Sequence, residues 1–214
     1  MKLLIKLLLV ACIALNLSAC SNSEKAVDLK LPTYIDEPKN GPKVMIADVT
    51  DNRMFIGNAK QPNLPSGKIL SKDYKSRAYA RLKNMFNEQS GALLLPKNST
   101  VADLFRKLIS RAFSEAGYQV VEPGFADDEE TIVVAVSIKQ FWTWAGLDNM
   151  TDDINSDIEL DIYTQQNNMQ KHFKLKNRQT RKVITDTKTL YKTTTEQSLE
   201  NIYHLAIEKI QHQL

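Results

Sequence analysis

The 214-residue chain predicts an α/β (α+β) domain in which two main helices pack on one face of an antiparallel sheet. Three observations predict it. Runs rich in β-formers recur at 43–50, 119–121, 131–144, 155–163 and 171–183. Two stretches, from Thr100 and from about Thr194, repeat apolar residues at helical spacing. A hydrophobic content of 43% with 25% charge excludes wholesale disorder.

The N-terminus precedes the domain. Met1-Lys-Leu-Leu-Ile-Lys6 is a short basic region, and Leu7–Leu15 follows as an apolar run too short to span a bilayer. Leu17-Ser18-Ala19-Cys20 resembles the bacterial lipoprotein box, in which the cysteine becomes the lipidated first residue. The competing reading is an ordinary secreted protein with an incidental cysteine. Cys12 lies in the cleaved run and Cys20 carries the lipid, so no thiol is left for a disulfide or metal. Two or more acyl chains hold a protein stably on a membrane where one does not. In lipoproteins of this kind, a residue other than Asp after the cysteine implies the outer membrane and its periplasmic face, and here it is Ser21. Removing residues 1–19 takes away Lys2 and Lys6 and leaves 26 basic against 25 acidic side chains, which excludes a globally basic nucleic-acid binder.

Residues 20–42 read as the lipidated N-terminus and a flexible spacer, broken by Pro32, Pro38, Gly41 and Pro42. Alternating Val27, Leu29 and Leu31 admit an edge strand. The periplasmic domain, 43–214, opens on the strand Lys43–Thr50. Thr100 to Asp103 forms a capping-box-like helix start, and Val101, Leu104, Phe105, Leu108, Ile109, Ala112 and Phe113 define one apolar face. Gly117 suits a left-handed C-cap ahead of the short strand Gln119–Val121. Ile132–Ile138 is apolar on both faces, as a strand well inside a sheet requires. The last helix is expected from about Thr194, with Gln197 as capping partner and Leu199, Ile202, Tyr203, Ala206 and Ile210 buried.

The hairpin near Asn167-Asn168 gives a sharper expectation. A two-residue turn there makes pairing partners sum to 335. Asp161 then faces Lys174, Glu159 faces Lys176 and Asp157 faces Arg178, while Ile162 meets Phe173 and Leu160 meets Leu175 on the other face. A one-residue slip would invert both faces. Segment 52–98 has no sustained period; Ala78, Tyr79, Leu82 and Phe86 admit a short helix within 74–86.

From Asp48-Val-Thr-Asp51 to the last helix, the chain resembles the YajG-type family of outer-membrane lipoproteins. The similar stretches are Ala116-Gly-Tyr-Gln-Val-Val121, the strand before Trp142 and the hairpin Asp157 to Lys174. The resemblance implies an α/β periplasmic domain akin to envelope assembly and transport accessory lipoproteins. It carries over no catalytic residues.

Chemistry-bearing motifs are sparse. His204, Glu208 and His212 share a helix face near the chain end and read as solvated rather than zinc-binding, and His172 has no neighbouring ligand in sequence. There is no nucleophile elbow and no phosphate loop. Asp127–Glu130 and Asp148–Asp153 lack calcium-loop spacing. The expectation is a non-enzymatic module without cofactor or metal.

Charge is blocked along the chain. Segment 52–98 holds nine Lys/Arg against Asp73 and Glu88, 122–161 holds eleven acids against Lys139, and 170–192 holds eight basic residues against Asp186. Internal compensation is favoured; the functional alternative is that the 52–98 surplus contacts anionic envelope material. Lys68, Lys72, Lys75, Arg77 and Arg81 are its candidate contacts. Phe141, Trp142 and Trp144 either cap the core or form an aromatic docking ledge. The expected partners are the membrane, through Cys20, and an envelope protein or polymer. The alternative role is a transport or assembly accessory that contacts lipid or lipopolysaccharide.

Overall fold

The computed structural model describes residues 23–34, 40–55, 71–83, 89–124, 130–146, 153–182 and 187–214. Residues 1–19, Cys20, Lys68, Phe86, Asp127 and Asp148 lie outside the described residues. The elements in order are β1 (Ser23–Ala26), β2 (Lys43–Asp51), α1 (Lys72–Arg77), β3 (Ala78–Lys83), β4 (Gln89–Leu94) and α2 (Val101–Glu115). They continue with β5 (Gln119–Val121), β6 (Ile132–Ala145), β7 (Asp153–Gln166), β8 (Met169–Lys182) and α3 (Thr187–Gln213).

β6 is the spine of one sheet. Along one side, its first half pairs parallel with β2, from Val44↔Ile132 to Asp51↔Ile138, and its end pairs parallel with β3 at Ala80↔Thr143 and Arg81↔Trp144. Along the other side β7 runs antiparallel for its whole length, and β8 follows. β5 extends β2 in parallel, β4 lies antiparallel to β3, and β1 lies parallel to β4. The sheet is therefore mixed, which corrects the purely antiparallel expectation. Tight turns force antiparallel neighbours, whereas β2, β5 and β6 are joined by long connections that return the chain to its starting end.

Two main helices do share one face. α2 packs on β2 and β5, α3 packs on β7, β8 and β6, and the two helices touch. Thr100 caps α2 as its sequence predicts: its hydroxyl accepts from the Asp103 amide at 3.1 Å, and its own amide donates to Asp103 Oδ2 at 3.0 Å. Gly117 takes a φ of 102° at the helix exit. Between helices and sheet lies the main core, with Phe105, Leu108, Phe113, Ile138, Phe141 and Leu160 at 1% exposure or less. Each such side chain contributes about 1.5–3 kcal/mol by leaving water.

The hairpin forms in the expected register, including all five named pairs, and Asn167 takes a φ of 52° in its turn. The ion pairs lean diagonally. Glu159 holds Lys174 at 2.8 Å as well as Lys176 at 3.0 Å, whereas Arg178 lies over the Trp144 ring, 5.7 Å from its centroid.

Three expectations are corrected. α3 begins at Thr187, a full seven residues before Thr194. Thr194, Thr195 and Ser198 are fully buried: Thr195 Oγ1 donates to Tyr191 O at 2.8 Å and meets Thr143 Oγ1 at 2.7 Å. Small hydroxyls that look like a cap instead let the helix approach the sheet. Within 74–86, helix α1 ends at Arg77 and Ala78–Lys83 is strand, because a strand buried on both faces carries no two-residue period. The spacer is not free either. β1 pairs with β4, Leu29 and Pro32 are buried, and the Tyr34 hydroxyl bonds Ser114 Oγ.

Candidate functional site

On the face of the sheet free of the two main helices, short α1 covers a second, smaller core of Tyr74, Ala78, Ala92, Leu94, Trp142 and Trp144, with Phe55 against it. Trp142 and Trp144 are 2% and 4% exposed, so they cap a core and form no docking ledge.

Arg53 organises this cluster. Its Nε and Nη2 grip the two oxygens of Asp51, each at 2.7 Å. Nη2 also donates to Lys75 O at 2.8 Å, and Nη1 donates to Ala78 O at 2.7 Å and Phe141 O at 3.1 Å. All five guanidinium N–H groups are thereby used. The same group lies 4.7 Å from the Trp142 ring centroid and 5.3 Å from that of Phe55, which meets Trp142 edge-on. One cation thus ties β2, α1, β3 and β6 together.

The expected basic surface is largely consumed here. Arg77 is buried, paired to Asp73 at 2.6 Å and bonded to Leu95 O at 2.8 Å. This pairing raises the Arg77 pKa and lowers that of Asp73. Arg81 is buried, and desolvation lowers its pKa. Lys75 lies half-buried against Phe55 at 5.6 Å, and Lys72 alone of the described candidates is exposed. Among the described residues, Arg53 and Arg77 pair locally, with Asp51 and Asp73.

The rest of the helix-free face carries the charged hairpin pairs. Asp157 is buried with Oδ1 unpartnered, and desolvation raises its pKa against the pull of Arg178 and Lys176. Bonds from Lys174 and Lys176 lower the pKa of Glu159. Toward the hairpin tip, Val133, Ala135, Tyr163, Gln165, Lys171 and His172 line an open groove of about 500 Å³. His172 stacks on Tyr163 with centroids 4.5 Å apart and bonds Asp161 at 3.1 Å through Nε2. Tyr163 keeps 46% of its surface exposed. The pairing sum of 335 already sets Tyr163 opposite His172, so this feature was readable from the sequence; the role of Arg53 was not.

His204 bonds Glu200 at 3.0 Å on an exposed helix face. Among the described residues, no three His, Cys, Asp or Glu side chains are grouped to hold a metal, and no helix is long and apolar enough to cross a membrane.

No family model matches the chain, and no curated protein does. Among solved structures, a Xanthomonas campestris protein of family DUF330 is similar at 13% identity and a TM-score of 0.48, over 89% of this chain and 97% of that one. A minor lipoprotein from Acinetobacter baumannii is similar at 8% identity and 0.40, over 53% and 87%. Lipoprotein GNA1162 from Neisseria meningitidis is similar at 10% identity and 0.31, over 77% and 99%. Two of the three are lipoproteins by name. At these scores the likeness assigns no role.

Proposed function

We propose that this chain is a lipoprotein of the bacterial envelope, of the YajG type, anchored by acyl chains on Cys20 and working as a non-enzymatic binding module. Leu17-Ser18-Ala19-Cys20 at the end of a nine-residue apolar run is the observation that carries this reading. Ser21 supports the outer membrane and its periplasmic face. The buried cation Arg53 holds backbone and Asp51, and the buried hydroxyls of Thr143, Ser156 and Thr195 bond one another, so both sets serve the fold. Among the described residues, exposed side chains of β8 and the groove at Tyr163 and His172 offer a surface to an envelope protein or polymer.

The test is the mass of the N-terminal peptide from membrane-extracted protein, together with a Cys20→Ser variant. The expected outcome is acyl mass on Cys20 and release of the variant from the membrane fraction. A native protein that retains residues 1–19, or carries no acyl mass, overturns the reading.

A further inference from the structure

The chain has two ends to its sheet, and the anchor reaches only one of them. β1 begins at Ser23, three residues after Cys20, so the anchored sulfur and the sheet are separated by at most about 11 Å of backbone. From Ser23 to Tyr34 the chain runs in contact with the domain. Val27 N donates to Leu94 O at 2.8 Å, Lys30 N donates to Glu196 Oε1 at 2.7 Å, and Arg111 Nη1 holds Pro32 O at 3.0 Å. A Cβ on Gly41 would lie 2.0 Å from Gly117 O, so the backbone there is seated against the α2–β5 corner. Only then does β2 start, at the opposite end. The described part of the spacer, 23–34, thus lies along the body instead of serving as a tether.

The register identifies the anchored end. Ser23 lies beside Gly91, Gly91 beside Leu82, Arg81 beside Trp144, Ala145 beside Ile154, and Asp153 beside Lys182. The connections β3–β4, β6–β7 and β8–α3 all leave the sheet here, and Lys25 and Lys182 are exposed here. At the far end lie the Asn167-Asn168 turn, the groove, and the close of α3, where Lys171 Nζ donates to Gln213 O at 2.6 Å. Fourteen residues of β7 put about 45 Å between the two ends.

We propose that the end of the sheet where β1 begins rests on the phospholipid headgroups, and that the β7–β8 hairpin points away from the bilayer. This rests on the anchor at Cys20. It holds the groove at Tyr163 and His172 well clear of the membrane, open to a partner.

Cys12 and Cys20 are the chain's two cysteines, so an introduced cysteine on acylated mature protein takes a single dye. Energy transfer is read from dyes at Lys182→Cys and Asn168→Cys to acceptor headgroups in phosphatidylethanolamine–phosphatidylglycerol vesicles. With about 45 Å of strand between the sites, transfer from Asn168→Cys falls at least about fivefold below that from Lys182→Cys. Equal transfer, or more from Asn168→Cys, overturns the orientation. Missing acyl mass on Cys20 is a failure of the anchor instead. The orientation is then read on mature chain coupled through Cys20 to a maleimide lipid. Protection of Lys25 and Lys182 from an amine reagent, with Lys171 unprotected, supports it; uniform labelling overturns it.

Discussion

The two faces of the sheet are held by different physics. Under α2 and α3, the main core is a continuous apolar layer in which Phe141 meets Phe105 edge-on at 5.1 Å and lies along Tyr79 at 6.0 Å. Behind it, the cluster around Trp142 depends on one buried cation whose five donors end on four different segments. Phe141 and Trp142 are adjacent in sequence and serve these two regimes on opposite sides of the backbone. An apolar layer spreads its contribution over many residues, so a single loss weakens the whole layer and not one segment of it. A polar hub concentrates it, because a buried donor or acceptor without its partner bears the whole desolvation penalty.

The largest expected effect breaks the first regime. Phe141→Ala removes a fully buried ring and leaves a cavity, and should cost about 3–5 kcal/mol of global stability. Urea unfolding should show a single shifted transition in which fluorescence and circular dichroism coincide. A loss below about 1 kcal/mol would mean that the layer collapses around the gap and is less tightly packed than its contacts indicate.

The second effect is smaller globally and sharper locally. Arg53→Lys keeps the charge but loses the fork, so Asp51 and several of the three carbonyls from Lys75, Ala78 and Phe141 lose donors. The expected cost is about 2–4 kcal/mol. Amide exchange should accelerate across 72–82 well before it does in α2 or the β7–β8 ladder. Uniform acceleration over the whole chain would erase the distinction between the two faces.

The same contrast explains what the sequence disclosed. Where one face is apolar and the other charged, pattern determines structure: Asp157, Glu159 and Asp161 alternate with Ile158, Leu160 and Ile162, and the register follows. α2 was legible for the same reason, with its cap and its seven buried positions all written locally. The cluster around Trp142 was not. Ala78 to Leu82 is buried on both faces, so its apolar run fits either period, and Arg53 reads in sequence as one more member of a basic segment. The start of α3 was hidden by Thr194, Thr195 and Ser198, whose burial depends on the closeness of β6 and β7 and not on their own chemistry. β1 was missed because four residues with no alternation are made a strand only by β4 beside them.

The smallest expected effect lies where the two regimes meet, on β7. Glu159 and Asp157 are two residues apart on the helix-free face, and their pKa values move in opposite directions. Lys174 and Lys176 lower that of Glu159, so its contribution to stability is present above its unfolded value of 4.5 and is lost as pH falls through the folded one. Burial raises that of Asp157, so its ionised form burdens the fold. Its favourable contribution is present below the unfolded value of 3.8 and is lost as pH rises through the folded one. Glu159→Gln should therefore destabilise at neutral pH by about 0.2–1 kcal/mol, with the loss fading toward about pH 3. Asp157→Asn should stabilise at neutral pH, with the gain fading over the same range, because Oδ1 has no hydrogen-bond partner to lose. Urea midpoints of the two variants across that range should approach the parent from opposite sides. If both fall on the same side, Arg178 compensates Asp157 after all, and the polar side of the sheet is as evenly balanced as the apolar one.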